Sequence, residues 1–292
     1  MTQLRSLQTN ALGSRLLFAG ILGVSLLFTV SALAEYIPPS QPSSPQRGGS
    51  PGTIRNVGNL QYVPPSQPSR PSRTVTNGTR GSCGKATGGN LTTLAPISHT
   101  GQTIATHPTF AWYVPDQDPS WVEFTLYESN GKGGYTLLYK KQLESTKERL
   151  RTFTLPTDVA GLSDRQTYLW QVELLCDPSN PSKNTLAVAT IDVVATPPTL
   201  KAALAQTPDH LQRAQLYAQA GIWYDALAES LDGSVRTKPV WLDLVASLSR
   251  LETVTSLSGL ETPSAVAAHK QGEQLQTIVS LEQSGTRGTG AR

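Results

Sequence analysis

Four histidines and two cysteines, with a scatter of carboxylates, are the residues of this 292-residue chain best suited to chemistry. His99 and His107 stand eight positions apart around an expected turn, with Asp116 and Asp118 the nearest acids in sequence. Two imidazoles need a third ligand to hold a transition metal, and we expect no metal here. A Cys–His nucleophile would need Cys83 or Cys176 as a free thiolate. Glu123 and Glu128 are five apart, so on one strand they face opposite sides and cannot act as a glycosidase pair by proximity. No G-x-S-x-G, H-E-x-x-H or glycine-rich phosphate loop occurs. We therefore expect no catalytic residue and no cofactor, and read the chain as non-enzymatic. A formal charge of +3 gives no footprint for nucleic acid.

The cysteines acquire meaning from the N-terminus. Arg5 and Arg15 precede an uncharged, mostly apolar run over residues 16–30, and Ser31-Ala32-Leu33-Ala34 then puts small side chains at −3 and −1. This is the pattern of a signal peptide over 1–34, cleaved between Ala34 and Glu35. The alternative is a retained anchor, but a membrane span needs about 20 apolar residues. After processing no transmembrane helix is expected, and the chain belongs in the periplasm, outside the cell or in the cell envelope. In that oxidising setting Cys83 and Cys176 are expected to pair. They lie 93 positions apart, and closing such a loop stabilises by roughly 4–5 kcal/mol in the chain-entropy model.

Between the signal and the first strand, residues 35–82 read as a disordered, basic linker. Residues 36–82 hold nine prolines, eight serines, six glycines and no acid, too little apolar surface to offset chain entropy. One phrase repeats: Tyr36-Ile-Pro-Pro-Ser-Gln-Pro-Ser returns at Tyr62 as Tyr-Val-Pro-Pro-Ser-Gln-Pro-Ser, 26 residues on. Two copies do not make a solenoid. Five arginines and Lys85 between Tyr36 and Asn90 allow weak contact with an anionic surface; the plainer reading is a solvated linker.

Residues 83–196 read as a β-sandwich. Short alternating runs cover 91–96, 109–114, 121–128, 135–143, 149–155, 167–176 and 186–194. Phe110, Trp112 and Val114 share a face, as do Val122, Phe124 and Leu126, with Glu123, Thr125 and Tyr127 outward. Tyr168, Trp170, Val172, Leu174 and Cys176 line the strongest strand. Seven strands in this length match an immunoglobulin-like sandwich. Leu162 and Tyr168, six apart before that strand, resemble the tyrosine corner of fibronectin type III domains, with Asp164-Arg165 replacing the usual Pro-Gly. Trp112 and Trp170 are expected in the core, from facing sheets.

From Pro197-Pro198 the apolar period changes to that of a helix, and residues 197–260 read as helical. Ala214, Tyr217, Gly221, Trp223 and Ala226 have a spacing similar to one tetratricopeptide hairpin, with Gly221 at the turn. Ser230 and Gly233 depart from that pattern. Pro239 opens a third helix with Trp241, Leu244, Val245, Leu248 and Leu251 on one face. Residues 261–292 read as a disordered tail. Trp223 and Tyr224 point about 100° apart on a helix and cannot both fill one narrow stripe. With Trp223 inward, Tyr224 and Asp225 fall near the rim, making Trp223, Tyr224 and Asp225 a candidate partner contact; otherwise Tyr224 seals the hairpin against the sandwich. The fold class is thus α+β, mainly β: an immunoglobulin/fibronectin III-like sandwich, then a TPR-like hairpin and a third helix.

The phrases Asn90-Leu-Thr-Thr-Leu-Ala-Pro, Pro108-Thr-Phe-Ala-Trp-Tyr-Val-Pro, Tyr168-Leu-Trp, Cys176-Asp-Pro and Tyr217-Ala-Gln-Ala-Gly-Ile-Trp-Tyr-Asp-Ala-Leu occur in that order. Together they resemble the cyanobacterial family catalogued as domain of unknown function 928, over about residues 80–250. The resemblance implies an exported protein of a photosynthetic Gram-negative cell and brings no activity, cofactor or site. The functional expectation is a non-enzymatic module that binds another, unidentified envelope protein. The alternatives are a carbohydrate- or peptidoglycan-binding module using aromatics such as Trp121 and Tyr127, and a degenerate or accessory hydrolase.

Overall fold

A computed structural model describes residues 60–69, 90–114, 121–144, 146–177, 179–232, 240–257 and 262–288. All of them belong to the compact unit Ile54–Arg292. Ala34, Glu35, Cys83, Asp116 and Asp118 lie outside the described residues, and with them the expected signal site and one end of the expected disulfide.

Among the described residues, eight strands form two sheets. The first sheet has the order β1-β3-β6, from β1 (Thr92–Thr93), β3 (Thr109–Tyr113) and β6 (Leu150–Thr154). The second has the order β2-β8-β7-β4-β5, from β2 (Gly101–Thr103), β8 (Thr185–Val193), β7 (Thr167–Leu175), β4 (Trp121–Ser129) and β5 (Tyr135–Leu143). Every pairing is antiparallel except β2 with β8. Alternation explains the inner faces: Phe124 sits opposite Val172, and Leu126 opposite Trp170, in the β4–β7 register. Phe110 of the first sheet meets Phe124 and Trp170 of the second at ring separations of 5.0 and 5.2 Å. Trp112 and Trp170 are both buried, one in each sheet.

Strand β3 departs from simple alternation. Phe110, Ala111, Trp112 and Tyr113 are all buried, because helices cover the face that a lone pair of sheets would leave wet. The Tyr113 hydroxyl donates to the Glu282 carboxylate at 2.7 Å, from a helix that the composition did not announce. That helix, α5 (Pro263–Gly288), follows α1 (Pro198–Ala205), α2 (His210–Gln219), α3 (Trp223–Asp232) and α4 (Val240–Leu257). The expected disordered tail is therefore corrected: Leu275, Ile278 and Val279 of α5 are buried in the core. Gly272 lets α5 approach α4 closely; a Cβ there would lie 2.9 Å from the Ser249 carbonyl oxygen, and Ser249 Oγ donates to the Gly272 carbonyl at 2.8 Å.

The linker needs a similar correction. Residues 60–69 are part of the folded unit, with Leu60 and Tyr62 buried. Their backbone finds fixed partners: the Tyr62 N–H donates to Ser247 Oγ at 3.0 Å, and the Val63 N–H to the Ala218 carbonyl at 3.0 Å. Two anchoring side chains and these bonds order a stretch whose composition alone would leave it free.

Candidate functional site

Trp223, Tyr224 and Asp225 do not form a partner contact at the surface. Trp223 and Tyr224 are buried inside the chain, and Asp225 is half-buried with its carboxylate bonded to the chain's own groups. Trp223 is fully buried and its Nε1 donates to the Leu94 carbonyl at 2.9 Å. The Tyr224 hydroxyl accepts from Trp170 Nε1 at 2.8 Å and donates to the Thr190 carbonyl at 2.9 Å. Asp225 accepts from Thr103 Oγ1 at 2.7 Å and from the Ile104 N–H at 3.2 Å. Burial pushes the Asp225 carboxyl up to about 6, against the pull of those two donors. The reason is that α3 has two buried faces: one meets α2, the other meets β2 and β3. Tyr224 seals the helices to the sheets, the second of the two expected roles.

A buried polar cluster joins the residue 60–69 segment, the β1–β2 loop and α4. His99 Nε2 lies 2.8 Å from the Tyr62 hydroxyl, and His99 Nδ1 lies 3.0 Å from Ser98 Oγ. Burial drops the His99 pKa to about 4, so the ring is neutral at ordinary pH. Glu252 accepts from the Ile97 N–H at 2.9 Å and the Ser98 N–H at 3.1 Å, and from Ser98 Oγ at 3.1 Å. Burial pushes the Glu252 carboxyl up to about 7. Serine, histidine and carboxylate meet here, but in the order carboxylate–serine–histidine. A nucleophilic triad needs the imidazole between the other two, and Tyr62 stacks over His99 with ring centres 5.8 Å apart. This cluster fastens loops; it is not poised for acyl transfer.

His107 is likewise engaged, its Nε2 3.1 Å from the Val159 carbonyl and its Nδ1 3.1 Å from Thr106 Oγ1. His99 and His107 thus spend both ring nitrogens on protein groups. Cys176 ends the β7 run and packs against the core, and no cysteine among the described residues is a free thiol.

Two surface features remain as candidate sites. The first is a polar cleft of about 450 Å³ between Thr109, Thr152 and Thr154 on one wall and His210, Glu229 and Asp232 on the other. Glu229 is already committed, 2.7 Å from His210 Nδ1 and 2.6 Å from Arg213 Nε. The second is β5, the outer strand of the larger sheet. None of its nine residues is buried, and among the described residues only β4 pairs with it. A bulge falls at Leu138, since Leu126 faces Tyr139 while Tyr127 faces Leu137. It leaves Leu137 and Leu138 exposed by 54% and 37%. Two exposed lysines follow: Lys140 Nζ is 2.7 Å from Glu123, and Lys141 Nζ sits over the Phe153 ring at 5.9 Å.

Trp121 at the start of β4 is half exposed, and Tyr127 six residues on is partly buried. Glu123 and Glu128 remain five apart on β4, Glu123 held by Lys140. The sequence announced β5 as a strand but not as an edge, because edge position depends on pairings distant in the chain. Nothing in the sequence brought Thr152 and His210 together either. A family model described as Domain of Unknown Function (DUF928) matches residues 75–260. No curated protein matches the chain.

Proposed function

We propose that this chain, which belongs to the DUF928 family, is a non-enzymatic protein-binding module of the cell envelope that docks an extended segment of its partner along β5. The observation that carries this reading is the nine-residue outer strand, paired among the described residues by β4 alone, with two exposed leucines. Edge strands are ordinarily short or charged because unpaired N–H and C=O groups recruit other strands. A nine-residue edge with adjacent exposed leucines suits strand addition, with main-chain bonds for affinity and leucine contacts for selectivity. The test is retention from envelope extract. Wild type should hold a protein that the Leu137→Asp/Leu138→Asp double variant releases at unchanged melting temperature, while insoluble wall holds neither. Unchanged capture by the variant overturns the reading.

A second reading, carbohydrate or peptidoglycan binding, draws on the threonine-lined cleft, whose hydroxyls and carboxylates suit sugar hydroxyls. Retention on purified wall, abolished by Thr152→Val/Thr154→Val, would favour it over the first. A hydrolase role draws no support from the geometry of Ser98, His99 and Glu252.

The finer fold reading is also ours. Strand order β1-β3-β6 against β5-β4-β7-β8 supports an immunoglobulin/fibronectin III-like sandwich. The Ser163 N–H donates to the Tyr168 hydroxyl at 2.9 Å, which supports a tyrosine corner. The α2–Gly221–α3 pair supports a TPR-like hairpin. Export with cleavage between Ala34 and Glu35 stays part of the proposal, as does a Cys83–Cys176 disulfide, for which a Cys176 that is not a free thiol is the support. Alkylation of denatured, unreduced protein should find no thiol, and the mature mass should begin at Glu35. Two alkylated cysteines, or an intact Met1, overturn these parts separately.

A further inference from the structure

The segment 62–69 is the second copy of the repeated octapeptide, and the folded unit grips it through features that the first copy shares. Tyr62 is the anchor: its ring packs edge-on to Trp223 with centres 5.0 Å apart, and its hydroxyl meets His99. The N–H groups of Tyr62 and Val63 bond Ser247 and Ala218, contacts indifferent to side chain. Pro65 lies against Gly221, where an added Cβ would come within 3.0 Å of its ring. The Ser69 carbonyl accepts from the Thr100 N–H at 2.9 Å, and Ser69 Oγ donates to Asp192. At residues 36–43 the tyrosine, all three prolines, the glutamine and both serines recur unchanged. The one difference, isoleucine for Val63, falls on a side chain that is 46% exposed.

We propose that the groove between α2, α4 and the β1–β2 loop is a recognition site for this octapeptide, and that residues 36–43 of a second copy of the chain are its alternative occupant. Each chain then carries one groove and two ligands for it, so one ligand is always spare. A spare ligand seated in a neighbour's groove makes a head-to-tail contact, which extends rather than closes. The built-in bias comes from Leu60, buried beside the anchor. Its counterpart two residues before Tyr36 is Ala34, which the proposed cleavage removes, so a chain's own 60–69 segment holds the groove more firmly. Tethering adds an effective concentration in the millimolar range. Exchange between copies therefore belongs to crowded conditions or to a weakened own segment. It is independent of β5.

The experiment uses the full chain with Leu60→Ala, which levels the two ligands. A fluorescent synthetic peptide Tyr-Ile-Pro-Pro-Ser-Gln-Pro-Ser should bind it saturably, at least tenfold more tightly than the same peptide with alanine for tyrosine. Sedimentation should show oligomers growing with concentration, and adding Tyr36→Ala should return them to monomers. In the unaltered chain, excess peptide should accelerate hydrogen exchange of the Val63 amide, while a scrambled peptide should not; this readout survives if Leu60→Ala fails to fold. Absence of peptide binding together with unchanged Val63 exchange overturns the site. Peptide binding with a monomer at every concentration overturns the second copy as its occupant.

Discussion

Tyr224 shows how one hydroxyl can hold two elements together. It takes a hydrogen bond from Trp170 on β7 and gives one to Thr190 on β8, all within a region closed to water. Tyr224→Phe keeps the ring and strands both partners, so it should destabilise by about 1–3 kcal/mol. Tyr224→Ala removes the ring as well and should cost about 3–5 kcal/mol. Urea titration measures both, and a neutral Tyr224→Phe would mean that the hydroxyl carries no weight. Glu252 makes a pH-dependent prediction. Burial holds Glu252 near 7 and Asp225 near 6 when folded, above the ordinary carboxylate values. The folded state therefore binds protons that the unfolded chain has released, and their contribution is fullest below about pH 4 and lost as pH rises to about 7. His99, depressed to about 4 by burial, works the other way: its contribution is present above about 6.5 and lost as pH falls. Glu252→Gln removes one of the two titrating carboxylates and leaves His99 and Asp225. Its stability deficit relative to wild type should shrink between pH 4.5 and 7.5, and a deficit constant with pH would contradict the burial argument.

The turn between α2 and α3 rests on Gly221. Its φ is +80°, and the helix end is closed by the Ile222 N–H bonding the Tyr217 carbonyl at 3.0 Å and the Gly221 N–H bonding that of Ala218 at 3.3 Å. This is the double closure that a left-handed residue permits after a helix. Gly221→Ala should cost about 1–2 kcal/mol for the left-handed backbone, with crowding of Pro65 added. A thermal melt measures it, and an unchanged midpoint would mean that the turn relaxes. That turn was legible from spacing alone, as were β3 to β8, because period-two alternation and Asn130-Gly131 are local signals. β2 was not: three residues, Gly101 to Thr103, carry no period, and a parallel partner leaves no turn beside it. α5 was hidden by its serines, glutamines and Gly272, although Leu275, Ile278 and Val279 sit at helical spacing. Spacing alone leaves Tyr224 two places, rim or seal, because a single-stripe picture of α3 allows one buried face, whereas packing on both α2 and the sheets gives it two. The β5 edge and the threonine cleft depend on which strands and helices become neighbours, and no local pattern encodes that.

At the scale of the molecule, the segments that composition marks as unfolded close the structure at both ends. Residues 60–69 cover Trp223 and His99, and α5 covers α4 and the first sheet. Gln271 Nε2 donates to the Thr93 carbonyl at 2.8 Å and to that of Ala95 at 3.3 Å, so α5 caps the β1 region as well as burying its own apolar side chains. The family match ends at residue 260, before this helix begins. A chain ending there leaves the α4 face around Ser249 and Thr253 without its cover and the Thr93 and Ala95 carbonyls without their Gln271 donor. Each buried aliphatic side chain lost is worth roughly 1.5–3 kcal/mol. Leu275, Ile278 and Val279 together then approach the roughly 5–15 kcal/mol that holds a domain folded. The shortened chain should melt far lower than the full one, bind a hydrophobic dye before heating, and lose the cooperative transition. A sharp melt within a few degrees of the full chain would show that residues 60–257 are sufficient and that α5 is an appendage.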